Sequence, residues 1–165
     1  MQQFHDTRII GSEGEMMASA IIQIGEIFRV QLLGGNVEAF DLYAEINDKE
    51  HPFPFLIQVK TTDMDNRYNQ YGIVTPVADY KLKWLVDRPI PTYVAGFDLR
   101  KLKMYLSPAF NTNISFQYGI PVTNELRLTN RGYSLRVLRR LKKDIWAYWT
   151  SLNASSFKHG FISQL

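Results

Sequence analysis

Cysteine is absent from the 165 residues, which excludes disulfides and thiolate metal centres and agrees with a reducing compartment. Histidine is scarce: His5, His51 and His159 are scattered and lack the close spacing of a zinc site. No run approaches the roughly 20 apolar residues that a membrane-spanning helix needs. The first residues, with Gln2, Gln3, His5 and Asp6, have neither the basic start nor the apolar stretch of a secretory leader. These absences predict a soluble, cytoplasmic protein with no membrane partner. Internal repeats and low-complexity tracts are missing too. In "DMDNRYNQYG", Asp63 and Asp65 are spaced like calcium-loop ligands, but the glycine and closing glutamate of such a loop do not follow at the needed offsets.

What is present suits one domain spanning residues 1–165: 45% of the residues are hydrophobic, enough for a substantial core at this length. The formal charge of +3 permits a polyanionic partner without requiring one. Helical spacing of Met17, Ile21, Ile24 and Phe28 predicts an amphipathic helix over 12–28 with Ser12 as N-cap. Apolar runs at 28–33 and 40–46, each closed by turn formers, predict two strands, and "FLIQVKTT" (55–62) predicts a third. A polar loop over 63–72 follows, then a helix over about 77–86 that ends before Pro89 and Pro91. Two further strands, 92–99 and 103–110, meet at a turn near Arg100 and Lys101. A last helix over 134–152 places Leu135, Leu138, Ile145, Trp149 and Leu152 on one face and Arg136, Arg139, Arg140, Lys142 and Lys143 mostly on the others. This order predicts an α/β domain with helices packed on a central sheet.

Side-chain alternation puts Gln58 and Lys60 on one face of the third strand, either toward solvent or toward a pocket. An aspartate upstream, Asp41, stands in "FDLYAEI" at the start of the second strand, where aspartate is uncommon. Aspartate, a spacer, an acidic or amide residue, one apolar residue and lysine make a pattern that resembles the PD-(D/E)xK nuclease superfamily. "GSEGEMMASAIIQIGEIFRV" resembles the first helix of Holliday-junction resolvases and of a bacterial family of unknown function that carries a QVK motif. The resemblance covers about residues 10–108. It implies a restriction endonuclease-like core, a mixed sheet flanked by helices in αβββαβ order; the C-terminal helical extension over about 130–153 is added to that core and lies outside the resemblance.

The same resemblance implies a metal-dependent endonuclease acting on DNA, double-stranded or branched, as a homodimer or homotetramer. Asp41, Gln58, the Val59 carbonyl and Glu15 are its implied metal ligands, with Mg2+ the cofactor and Mn2+ a substitute. Lys60, beside Gln58, is implied to orient water or to stabilise charge on the phosphate. Hard oxygen ligands of this kind suit magnesium. Glu15 also lies three residues after Ser12, the spacing of a capping box, and helical angles bring Glu13 nearer the apolar face, so Glu13 stays in reserve. The alternative is a catalytically inactive nuclease-fold protein that binds nucleic acid or another protein; Gln58 in place of a carboxylate, and Ala39 and Phe40 ahead of Asp41 where the family carries glycine, point that way. Tyr68, Tyr71 and Trp84 can stack on exposed bases, although core or loop packing accounts for them better.

Overall fold

Alternation along the third predicted strand decides the layering of the molecule. The computed structural model describes residues 7–34, 39–65, 67–75, 77–110, 112 and 115–151. His5, Leu152 and His159 lie outside them. Helix α1 (Thr7–Ile22) and a single 3-10 turn lead into strands β1 (Phe28–Leu32), β2 (Leu42–Ile46) and β3 (Pro54–Thr62). A short hairpin, β4 (Tyr68–Asn69) and β5 (Gly72–Ile73), precedes helix α2 (Asp79–Val86). Strands β6 (Thr92–Asp98), β7 (Lys103–Pro108) and β8 (Glu125–Arg127) follow, and helix α3 (Arg131–Thr150) closes the order. Six strands form one mixed sheet in the order β1-β2-β3-β6-β7-β8, in which only β3 and β6 are parallel.

Of the odd-numbered residues of β3, Phe55, Ile57 and Val59 join Ala18, Ile21 and Ile22 of α1 and Leu138, Leu141 and Ile145 of α3 in the main core. On β6, Tyr93, Ala95 and Phe97 face the same way. Val94 points to the opposite side, where Leu85 of α2 packs with Val77, Phe116 and Ile120 in a second, smaller core. Gln58 and Lys60 therefore face the α2 side of the sheet, away from α1 and α3. The basic residues of α3 belong to the layer on the other face.

Several predicted boundaries move. Helix α1 is already formed at Thr7, so Ser12 lies inside it and cannot serve as an N-cap. One glycine, Gly11, costs a helix only about 0.5–1 kcal/mol, too little to set its start once Ala18, Ile21 and Ile22 anchor it. Phe28 belongs to β1, where it is buried, and not to the helix. Asp41 sits one residue ahead of β2. The loop predicted over 63–72 contains β4 and the first residue of β5, and β8, between the strand predicted over 103–110 and the last helix, is a strand that the sequence does not predict, too short to show a period. Helix α3 begins at Arg131, because the Asn130 side chain accepts a hydrogen bond from the Tyr133 N–H at 3.0 Å.

Candidate functional site

Strands β2 and β3 run together only as far as Leu42 opposite Ile57. Beyond that point β3 keeps β6 on one side and, among the described residues, no strand on the other. The Asp41 N–H still donates to the Ile57 carbonyl at 2.9 Å, so main-chain groups of Val59, two residues on, point into the gap. There the Asp41 carboxylate substitutes for the missing strand: its Oδ2 accepts from the Val59 N–H at 2.7 Å and from Gln58 Nε2. Gln58 Nε2 also donates to the Val59 carbonyl at 3.2 Å. A carboxylate, a main-chain carbonyl and a side-chain amide thus converge where the sheet splits.

Helix α1 brings a second carboxylate to this point. A Cβ on Gly14 would fall 1.9 Å from Thr61 Oγ1, so glycine is what allows the helix to lie against the end of β3. The next residue, Glu15, is held close enough for the charges of Asp41 and Lys60 to act on it. Burial first, and then Asp41, raise the Glu15 carboxyl above its ordinary range, with Lys60 opposing. Burial also raises Asp41, against the Val59 N–H and the Lys60 and Lys81 ammonium groups. Lys60 moves the other way, lowered by burial and then by Lys81, against the pull of Asp41 and Glu15. All three groups are pushed toward their neutral forms, so the ionised cluster is held against an electrostatic cost, a pattern concentrated at functional sites.

Gln58 is 2% exposed, and its Oε1 finds no hydrogen-bond donor among the described residues. Such an orphaned acceptor costs about 1–3 kcal/mol. The amide oxygen, the Asp41 carboxylate and the Val59 carbonyl are all hard oxygen donors, and a divalent cation is a partner common to them. The residues present therefore fit a magnesium-type ion, with Glu15 as a further carboxylate. Among the described residues no three His, Cys, Asp or Glu side chains form a metal cage; the donor set here is two carboxylates, an amide and a carbonyl.

Of the residues singled out in the sequence, Glu15, Asp41, Gln58, Val59 and Lys60 come together. Glu13 does not: it is exposed on α1, and with Ser12 inside the helix the capping-box role for Glu15 falls away. Tyr68 is half-buried with its hydroxyl donating to Asp98, and Trp84 stacks on Phe40 with centroids 5.3 Å apart, so both are packing residues. Tyr71 alone of the three is exposed.

Lys81 is the addition that the structure makes. It lies three and four residues ahead of Trp84 and Leu85, on the side of α2 that packs toward Phe40 and the sheet, and its charge reaches Asp41 and Lys60. A cation at helical spacing from an apolar pair is the signal in the sequence that points to it.

No protein-family model matches the chain, and no curated protein and no solved structure matches it either. Among the described residues no helix is long and apolar enough to cross a membrane. The class that fold and site define is an α/β domain in which half-buried carboxylates and an ammonium group meet a buried amide at a split in its sheet.

Proposed function

We propose that this protein is a metal-dependent endonuclease with a restriction endonuclease-like core, hydrolysing phosphodiester bonds in DNA. The observation that carries the reading is the convergence of Asp41, Gln58, the Val59 carbonyl and Lys60 with Glu15 at the gap between β2 and β3. Asp41, Glu15, the Gln58 oxygen and the Val59 carbonyl would hold Mg2+, or Mn2+ in its place. A bound ion of this kind supplies Lewis acidity toward a phosphate oxygen and toward water. Lys60 and Lys81 bring two ammonium groups to the same place, suited to binding a phosphate and to stabilising the charge that grows on it during hydrolysis. A homodimer or homotetramer would present one such site to each strand of a duplex or branched DNA.

The test is cleavage of supercoiled, linear, branched and single-stranded DNA with magnesium, with manganese and with chelator. Cutting that needs the divalent ion is the expected result. Binding without cutting of any of these substrates would move the protein to the second reading, a nuclease-fold protein that binds but does not hydrolyse.

One observation favours that second reading: the Gln58 amide donates to Asp41, so an amide stands where a second carboxylate would add charge for an ion. The two readings differ over Gln58→Glu. In a nuclease the added charge strengthens magnesium binding about tenfold, equivalent to about 1.4 kcal/mol, and lowers the melting temperature of the ion-free protein by adding a buried anion. Calorimetric titration with magnesium reads the first effect and thermal melting in chelator the second. A variant that melts lower and gains no affinity for the ion favours the binding module.

A further inference from the structure

Tyr71 and Tyr118 are 52% and 55% exposed, yet their rings lie together, with centroids 5.2 Å apart and planes tilted by 33°. Two large aromatic side chains left in water as a pair are unusual on a surface built only for solubility. Their backbones are also tied to each other. Asn69 Oδ1 accepts from the Tyr71 N–H at 2.7 Å, while Asn69 Nδ2 donates to the Tyr118 carbonyl at 3.1 Å. Ile73 and Ile120 exchange both main-chain hydrogen bonds, at 2.9 and 2.8 Å. A Cβ on Gly72 would fall 1.9 Å from the Ile120 carbonyl oxygen, so the two segments meet this closely because that residue is glycine. The pair stands on a stapled backbone, and its rigidity lowers the entropy that a ligand must overcome.

The staple sits beside the proposed site. Ile73 and Ile120 pack over Gly96 of β6, whose Cα is the register partner of Lys60 on β3. Paired residues of neighbouring strands face the same way, so the tyrosines are mounted on the sheet face that carries Lys60. Stacking surface and ammonium groups on one face match a ligand that has both flat rings and phosphates.

We infer that the Tyr71–Tyr118 pair is a stacking platform for an unpaired nucleobase of the strand whose phosphates reach Lys60 and Lys81. The inference rests on the nuclease reading and deepens it: bases inside a duplex are already stacked on one another, so the substrate class is DNA with a single-stranded segment, as at a branch or a fork.

The experiment is fluorescence anisotropy in chelator, with a labelled single-stranded oligonucleotide and the duplex formed with its complement. It compares the wild type, the Tyr71→Ala/Tyr118→Ala double variant and the Tyr71→Phe/Tyr118→Phe double variant. The alanine pair is expected to weaken single-strand binding about tenfold or more, to leave duplex binding unchanged and to leave the melting temperature near that of the wild type, because both side chains are exposed. The phenylalanine pair, which keeps the rings, binds like the wild type. Equal losses on single strand and duplex, no loss on either, or a loss in the phenylalanine pair would overturn the platform while leaving the nuclease reading in place. A wild type that binds neither form, with no metal-dependent cutting, overturns the nuclease reading itself.

Discussion

Asp41→Asn is expected to abolish metal-dependent cleavage and, in chelator, to raise the melting temperature of the protein. The two effects share one cause. Burial raises the Asp41 carboxyl more than the Val59 N–H and the Lys60 and Lys81 charges lower it. A carboxyl whose folded pKa lies above its unfolded value binds the extra proton in the folded state, so stability falls as pH rises through the interval between the two values. At neutral pH the ionised group is a net burden on the ion-free fold. Asparagine keeps an oxygen to accept from Val59 and Gln58 and carries no charge, so it removes the burden. It also removes the principal anionic ligand for the ion, and losing the several kcal/mol of transition-state stabilisation that a metal contributes lowers the rate by about a thousandfold or more. Cleavage assays in magnesium and melting curves in chelator, taken between pH 5 and pH 8, test both halves. A variant that melts lower than the wild type across this range would show that Asp41 is a structural support of β3 and not a strained site residue.

Lys60→Met should lower cleavage by about a hundredfold to a thousandfold, the range seen when one charge-stabilising donor is removed, while magnesium still binds. Lys60 faces the α2 side of β3 next to Gln58, and burial with the nearby Lys81 lowers its ammonium pKa. A lysine with a folded pKa below its unfolded value loses protons on folding, and its contribution to stability rises with pH through that interval. It is thus a cation kept near carboxylates at a cost, and it competes with a divalent ion for the same negative charge. Methionine relieves that competition, so calorimetry should find magnesium affinity equal to or above that of the wild type. Parallel loss of ion binding and of cleavage would make Lys60 a structural partner of Asp41 and Glu15 instead of the group that meets the phosphate.

How much of this was legible before the fold was in hand follows from the range of the interactions involved. Strands β1, β2, β3, β6 and β7 and both long helices could be read from apolar runs and periodicity, because burial is a local pattern, repeated every two or 3.6 residues where one face is covered. The start of α1 could not, since a helix anchored by Ala18, Ile21 and Ile22 propagates past Gly11 and Ser12 at little cost. Three-residue β8 was illegible for want of a period. In the site, Asp41, Gln58 and Lys60 stood out because a charge and an amide interrupt strands that are otherwise apolar. The resemblance put Glu15 ahead of Glu13; the close approach of Gly14 to Thr61, which holds Glu15 at the end of β3, is contained in no spacing along the helix.

By itself, the sequence determined the absence of thiol chemistry, the α/β alternation of elements and the few residues whose polarity conflicts with their surroundings. Only the tertiary structure decided that Gln58 is buried and half-satisfied, that β2 leaves β3 at Ile57 and opens a gap there, and that Lys81 faces that gap. It alone brought Tyr71 to Tyr118. The physical reason is the same in each case: periodicity reports which face of an element is buried, whereas a site depends on which elements meet, and that is set by packing between residues far apart in the chain.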